Sequence, residues 1–265
     1  MAGRRGFHLV KWYLDLVTDE GEVLIGYAAD LRWGALRLRY AATLSGRAPG
    51  PFRGATHLLG ARLPEERDGV VRWRVGARGP RGEWTAVRAG PERVLLDGPE
   101  GEVRWSCLHA ASAGRARTAR GPELQGRGYV ERLELTIPPW RLPLHELRWG
   151  RFVSDGAALA WIEWRGPRPL RLVLRDGQPV EPASVSDDEV TAAGGTLRLS
   201  DPVTLRDGEL GLTVLRPLPL LRRALPAAML GTRETKWLSR GELQQPDGRR
   251  ARGWALHERV RFPPA

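Results

Sequence analysis

Cysteine is almost absent from this chain of 265 residues. Cys107 is the only one, which excludes an intrachain disulfide and a zinc site built on several cysteines. Because Cys107 falls in a predicted strand, we expect a small buried hydrophobic residue rather than a catalytic thiol. The five histidines show no metal-ligand spacing. We therefore predict no metal site and no cofactor.

Lysine is also scarce, although the chain is basic. Lys11 and Lys236 are the only lysines among 42 basic residues, and the formal net charge is +11. The arginines are spread over the whole length, as in proteins from GC-rich genomes, and they form neither a block nor a nucleic-acid-binding module. This distribution argues against nucleic-acid binding. Weak binding to an anionic membrane surface is an alternative for residues 220–230, where leucines flank Arg222 and Arg223.

Long apolar runs are missing as well. No stretch approaches the ~20 residues of a membrane-spanning helix, and Lys11 and Asp15 interrupt the apolar N-terminal segment where a signal peptide would need continuity. We therefore expect a soluble, cytoplasmic protein.

The sequence contains no glycine-rich phosphate-binding loop of the kind that precedes a helix. The Gly-Arg-Gly of residues 126–128 precedes a predicted strand and not a helix.

Alternation with a period of two is the dominant pattern in the chain. Residues 36–40 alternate apolar side chains with arginine, as expected for a sheet with one buried and one wet face. The sequence Asp-Glu-Gly at 19–21 is typical of a hairpin turn between two such segments. Short strands are predicted at 70–75, 83–88 and 103–108, with Gly/Pro turns between them. This spacing favours an antiparallel sandwich or barrel.

Helical periodicity is weak throughout. The best candidate is residues 220–230, and Pro226 interrupts it, so we expect no more than a short helix or turn there. Residues 110–125 are small, polar and basic, which predicts a mobile loop. The fold class that follows is all-β.

An internal repeat gives the strongest indication of architecture. The sequence Leu-Val-Thr-Asp at 16–19 is echoed by Phe-Val-Ser-Asp at 152–155, and a glycine turn and an apolar strand follow each copy. The two halves also end alike, since 127–131 and 252–258 both contain glycine, an aromatic residue and an acid.

The repeat predicts two tandem antiparallel β-barrel domains. We place the N-terminal barrel at 1–137 and the C-terminal barrel at 138–265, joined near the proline-rich segment 137–143. A single large sandwich whose halves resemble each other by chance is the alternative.

Four motifs together resemble the lipocalin-like hydroxyneurosporene synthase family, which includes the carotenoid 1,2-hydratases. They are WYLDLVTDEGEVLIGY at 12–27, GRGYVERLELTIPPW at 126–140, LRWGRF at 147–152 and RGWALHERV at 252–260. They span nearly the whole chain in the family's order. The resemblance implies two lipocalin-like barrels and a hydrophobic ligand, with pericyclic cyclases among the family's other members.

The family's catalytic positions are only partly present. Hydratases of the family have an acid and a histidine after a central Gly-Tyr, followed by Trp-Gly. Here Glu131 stands where the acid is expected after Tyr129, but Arg132 replaces the histidine and no Trp-Gly follows at once. The Trp-Gly-Arg at 149–151 matches the family's second tryptophan cluster.

Glu131 is therefore the acid that we predict to be catalytic. Alternation places it with Leu133 and Leu135, and we expect this face to point into the barrel. His145 or His257 is the expected acid–base partner. The alternative is that Glu131 forms a buried pair with an arginine that only fixes the structure of the barrel.

The predicted ligand site is aromatic. Tryptophan and tyrosine rings can enclose an apolar ligand and stabilise a developing cation. The residues that we expect to line the site are Trp33, Tyr129, Trp149, Trp161 and Trp254. Other acids on candidate inward strands are Asp15, Glu163 and Glu258.

These features predict binding of a hydrophobic small molecule that is isoprenoid, carotenoid-like or polyketide-derived. Cofactor-free acid–base hydration, cyclisation or isomerisation is the expected class of reaction. The alternative is a non-catalytic lipocalin-like carrier or scaffold whose acids are structural. The sequence does not indicate an oligomeric state.

Overall fold

The computed structural model describes residues 6–213, 215–216 and 219–263. The strands in this part of the chain are β1 (Phe7–Val17), β2 (Glu22–Trp33), β3 (Leu36–Arg47), β4 (Arg53–His57), β5 (Glu65–Arg67), β6 (Val70–Arg74), β7 (Arg81–Ala89), β8 (Glu92–Gly98), β9 (Gly101–Arg117), β10 (Leu124–Leu135), β11 (Glu146–Val153), β12 (Ala158–Arg165), β13 (Leu170–Arg175), β14 (Gln178–Pro179), β15 (Ala183–Val185), β16 (Glu189–Ala192), β17 (Gly195–Glu209), β18 (Arg233–Gln244) and β19 (Arg250–Arg261). The helices are α1 (Pro219–Ala224) and α2 (Ala227–Leu230), and Pro139–Arg141 forms a 3₁₀ turn.

The chain divides into two compact units, of which the first ends at Pro138 and the second begins at Pro139. The first contains an antiparallel sheet in the order β4-β3-β2-β1-β10-β9-β7-β6-β5, with β8 paired to β9. The second contains the order β14-β13-β12-β11-β19-β18-β17-β16-β15. Strand for strand, the second order repeats the first, apart from β8. The predicted all-β fold of two tandem, curled lipocalin-like sheets is confirmed.

The core of the first unit lies on one face of its sheet, which we call the inner face. Leu14 and Val130 contribute to it from β1 and β10, together with the large rings of Trp73 and Trp84. Burial of each such side chain stabilises the fold by about 1.5–3 kcal/mol. The Trp84 indole also donates a hydrogen bond to the Asp15 backbone oxygen at 2.7 Å, which fixes the ring above β1.

Small residues beneath Trp84 make its position possible. A Cβ atom at Gly114 or at Gly128 would lie 3.0 Å from Trp84 Cδ1. Because real Cβ atoms rarely approach so closely, β9 and β10 need glycine where the ring crosses them. The prediction of a loop at 110–125 is too long: β9 continues to Arg117 and β10 begins at Leu124, so the loop is limited to residues 118–123, and Gly114 is a strand position under an indole ring.

The opposite face of the same strands is buried as well. Tyr13, Asp15, Tyr27 and Tyr129 all lie on it and are at least nine-tenths buried. Glu131 belongs to this second face, since it is paired with Tyr13 whereas Val130 is paired with Leu14 of the core. The expectation that Glu131 points into the barrel is therefore wrong. When both faces of a strand are buried, apolar alternation does not reveal which face turns inward.

The second unit has an inner face of the same kind. Phe152, Leu159, Trp161 and Ala255 form its centre with residues of β13 and β15–β18. Its two sheet ends approach each other, because Arg171 donates to the backbone oxygen of Ala183 on β15 at 3.1 Å.

Glu163 holds the arginines that join those sheet ends. Its side chain is 3% exposed and pairs with Arg165 at 2.7 Å and with Arg171 at 2.8 Å. Arg165 also donates to the Val185 oxygen at 3.2 Å. Because both arginines bridge to β15, Glu163 has a structural role in this sheet.

Helical structure is limited to short segments. The candidate at 220–230 is interrupted as predicted: α1 ends at Ala224, and Pro226 caps the N-terminus of α2. Among the residues described above, no helix has both the length and the apolar character to cross a membrane.

Gly150 offers a direct test of packing in the second unit. A Cβ atom there would lie 2.2 Å from Trp161 Cζ2 and 2.8 Å from the His257 Cβ. We predict that Gly150→Ala lowers the free energy of unfolding by about 2 kcal/mol or more, because β11 must move away from the ring. The midpoint of urea unfolding measures the change.

Gly156→Ala is the matched control in the same unit. No atom lies within 4 Å of the added Cβ at this position, so the free energy of unfolding should change by about 0.5 kcal/mol or less. Equal midpoints for the two variants would contradict the packing around Gly150.

Candidate functional site

Glu131 lies in a hydrogen-bonded cluster on the second face of the first sheet. One of its carboxyl oxygens, Oε2, accepts a hydrogen bond from the Tyr129 hydroxyl at 2.8 Å. The same oxygen accepts another from Trp105 Nε1 at 2.6 Å. Two neutral donors on one oxygen fix the orientation of the carboxyl group. The strands dictate this contact, since Tyr129 and Glu131 are two residues apart on β10 and β9 brings Trp105 alongside.

Burial controls the protonation of the neighbouring groups. It raises the pKa of Tyr129 well above its usual range, and the nearby Cys107 and Glu131 raise it further. Tyr129 therefore remains a phenol that donates to Glu131. Burial also raises the pKa of the Cys107 thiol to about 12. Cys107 is thus the buried neutral residue that the sequence predicts, and at neutral pH it provides no thiolate.

Aromatic rings extend this cluster along β1 and β2. The Tyr13 ring contacts Tyr27 edge-on with centroids 5.5 Å apart, and its centroid lies 6.2 Å from that of Tyr129. The Lys11 ammonium lies 5.5 Å from the centre of the Tyr27 ring. Asp15, which is 0% exposed, lies on the same face and is paired with Tyr129 in the strand register.

We call this set the Glu131 cluster: Tyr13, Tyr27, Trp105, Cys107, Tyr129 and Glu131. It combines an oriented carboxyl group that can transfer a proton with ring faces that can stabilise positive charge. The sequence identified Glu131 and Tyr129. It did not single out Tyr13, Tyr27 or Trp105, although the spacing of two between Tyr13 and Asp15 and between Trp105 and Cys107 indicates a shared face.

The second unit has a polar pair on its inner face. His257 Nε2 and Ser239 Oγ are hydrogen-bonded at 2.9 Å. The Trp237 ring stacks on the imidazole with centroids 5.2 Å apart, and Trp161 lies over Gly150, which is paired with His257. The structure thus brings together two predicted site residues, Trp161 and His257.

The imidazole of His257 is neutral at physiological pH. Burial lowers its pKa to about 4, and the Lys236 charge contributes in the same direction. Depending on its tautomer, the neutral imidazole accepts a hydrogen bond from the Ser239 hydroxyl or donates one to its oxygen.

Trp149 and Trp254 occupy the other face of that sheet. The Lys236 ammonium lies 5.2 Å from the Trp149 ring centre, and the Arg240 guanidinium lies 3.7 Å from the Trp254 ring centre. Both tryptophans therefore contact cations. Lys236 is buried and pairs with Glu258, so this acid, like Glu163, has an identified basic partner.

The remaining predicted residues lie at the ends of strands. His145 is exposed and precedes β11, where its backbone N–H bonds the Arg165 oxygen at 2.7 Å. Trp33 is half-buried at the end of β2 and contacts Phe7 with ring centroids 6.5 Å apart. In the part of the chain that the structure describes, no three His, Cys, Asp or Glu residues are placed to hold a metal ion.

The lowered pKa of His257 predicts a specific pH dependence of stability. The folded pKa of about 4 lies below the ordinary value of 6.5, so between these values the unfolded chain binds more protons than the folded chain. Stability is therefore lost as the pH falls from about 6.5 towards 4. For His257 this loss should be on the order of 2 kcal/mol.

Urea unfolding at pH 7 and pH 4.5 tests this expectation. His257→Gln should lose less stability between the two pH values than the unmodified protein does. His109 is a second buried histidine whose pKa burial lowers to about 4, so the slope should be reduced and not abolished. An unchanged slope would contradict this expectation, because the folded and unfolded chains would then protonate His257 equally readily.

The comparisons with known proteins identify the fold. The sequence matches no protein-family model and no curated protein. Solved structures do match it: CghA aligns with a TM-score of 0.61 and 12% identity over 96% of this chain and 88% of its own. A putative AttH from Nitrosomonas europaea aligns with a TM-score of 0.54 and 14% identity over 95% of this chain and 92% of its own.

A third similar structure is kievitone hydratase from Nectria haematococca. Its TM-score is 0.53 with 11% identity, over 96% of this chain and 88% of its own. At such identities the likeness establishes the fold alone. The carotenoid 1,2-hydratase resemblance remains a prediction from sequence, whereas the chain has the lipocalin-like fold that these proteins share.

Proposed function

We propose that this protein binds a hydrophobic small molecule and transfers a proton to or from it through Glu131. The observation that carries the proposal is the geometry of the carboxyl group, which Tyr129 and Trp105 orient at 2.8 and 2.6 Å. An isoprenoid, carotenoid-like or polyketide-derived ligand suits the aromatic surroundings of Glu131.

The reaction that fits these residues is cofactor-free hydration, cyclisation or isomerisation. The carboxylic acid form of Glu131 would give its proton to one carbon of a double bond and leave a cation on the other. Water would then attack that cation and return a proton to the Glu131 carboxylate. Alternatively, a second double bond of the same molecule would attack the cation, and a carbon next to the new cation would lose a proton to the carboxylate. In an isomerisation, a carbon next to the first cation would lose that proton directly. The faces of Tyr13 and Tyr27 would stabilise the positive charge, while Tyr129 would position the carboxyl group.

The similar structures support this class of function. One structure of CghA is solved with Sch210972, and its TM-score to this chain is 0.57. The structure from Nectria haematococca is a hydratase by name. One protein of this fold is thus solved with Sch210972, and another is named a hydratase. The expectation that His145 or His257 assists Glu131 stays a prediction.

A non-catalytic carrier or scaffold is the alternative, and one observation favours it. Asp15 is 0% exposed on the same face as Glu131, and buried acids with hydrogen-bond donors also occur in purely structural networks. The two functions differ in whether the ligand changes chemically.

Glu131→Gln distinguishes the two functions. The protein is incubated in deuterium oxide with small-molecule extracts of its host, and mass spectrometry follows deuterium uptake and products that are heavier by one water. We expect the variant to lose conversion by about 100-fold or more, since general acid–base catalysis contributes about 10²–10⁴.

Glu134→Gln is the matched control on the same strand. Glu134 lies on the opposite face of β10, where it bonds His8 at 2.8 Å, so conversion should be unchanged. Conversion that survives in Glu131→Gln would contradict the catalytic role. A ligand that co-purifies with the protein but is never converted would identify a carrier.

A further inference from the structure

A cleft of about 740 Å³ in the first unit carries an excess of arginine. Its charged lining consists of six arginines and three glutamates: Arg62, Arg72, Arg74, Arg81, Arg115, Arg117, Glu65, Glu83 and Glu123. The lining also includes Trp73, Gly82 and Ala116, which are paired across β6, β7 and β9 and lie on the inner face. Glu131 is not among the lining residues, so the chemistry proposed for it and the chemistry of this cleft are independent.

Three of the arginines form a row across neighbouring strands. Arg74 of β6 is paired with Arg81 of β7, and Arg81 is paired with Arg117 of β9. Paired residues of antiparallel strands project from the same face, so three positive charges lie side by side. Like charges in directly opposed positions destabilise a sheet. We call Arg74, Arg81 and Arg117 the arginine row.

The acids of the cleft do not neutralise this row. Glu83 pairs with Arg72 at 2.7 Å and with Arg115 at 3.0 Å. These two arginines are its cross-strand neighbours on β6 and β9. Arg74 donates to two backbone oxygens, those of Gly76 and Ala77. Within the described residues, none of the three guanidinium groups of the arginine row pairs with a carboxylate.

A phosphate group suits the arginine row. It offers several acceptor oxygens with negative charge, and guanidinium groups bind such oxygens with pairs of parallel hydrogen bonds.

We propose that this cleft binds the phosphate or diphosphate group of a small molecule, with the arginine row holding its oxygens. Arginine is suited to this task because its planar fork matches phosphate geometry and its charge persists at any physiological pH. Leu59, which is 93% exposed and precedes Gly60 of the cleft, would contact an apolar part of the same molecule.

Pyrophosphate binding to the full chain, measured by isothermal titration calorimetry, tests the proposal. We expect saturable binding that weakens by tenfold or more in the double variant Arg81→Gln/Arg117→Gln. The double variant Arg47→Gln/Arg53→Gln removes the same charge from exposed strand positions of the same unit outside the cleft, and it should bind as the unmodified protein does.

Thermal unfolding at low ionic strength checks that the cleft variant is folded. Because the substitutions remove repulsion, Arg81→Gln/Arg117→Gln should unfold at a temperature at least as high as the unmodified protein. Pyrophosphate should raise the unfolding temperature of the unmodified protein and leave that of the cleft variant unchanged.

Vesicles distinguish the source of the phosphate group. Flotation with phosphatidylcholine vesicles, with and without phosphatidic acid, is compared for the two double variants. Binding to pyrophosphate that depends on the arginine row indicates a soluble phosphorylated molecule. Binding only to phosphatidic acid vesicles, again dependent on the row, indicates a lipid headgroup. No binding in either arm, or equal binding by both variants, would overturn the proposal.

Discussion

The alternation of side chains along β10 is the constraint on which the account of the first unit depends. Val130 joins Leu14 in the inner core, and its neighbours Tyr129 and Glu131 are consequently on the opposite face. A shift of one residue would exchange these roles and bury a carboxylate among the core tryptophans. Trp84 secures the register, because its indole bonds the backbone of β1 and its ring requires glycine at position 128 of β10.

The two units share a strand order but not a chemistry. In the first, titratable groups gather around Glu131 on the face opposite the inner core. In the second, the pair of His257 and Ser239 lies on the inner face itself, beside Trp237. The hydrogen-bonded framework, which depends on backbone pairing, is thus common to both units, while the side chains differ. Backbone pairing tolerates such divergence because the ladder of hydrogen bonds does not involve the side chains.

The sequence was sufficient to predict the fold class, because alternation and glycine turns are local signals, and the two tandem units, because the repeat is visible in the sequence. It was insufficient for the end of β9, where small residues indicate a loop unless one knows that Trp84 lies above Gly114. It identified Glu131 and Tyr129 but placed Glu131 on the wrong face, since Tyr13 and Trp105 become its neighbours only through pairing with β1 and β9. Long-range pairing of this kind leaves no trace in local periodicity.

The indole N–H signal of Trp105 tests the geometry of the Glu131 cluster most directly. In proton–nitrogen correlation spectra, Trp105 should resonate downfield because it donates to Glu131 at 2.6 Å. Glu131→Ala should shift that signal upfield and leave the Trp84 signal in place, since Trp84 bonds the Asp15 backbone on the inner face. An unmoved Trp105 signal together with a shifted Trp84 signal would contradict the account, because Glu131 would then lie on the inner face.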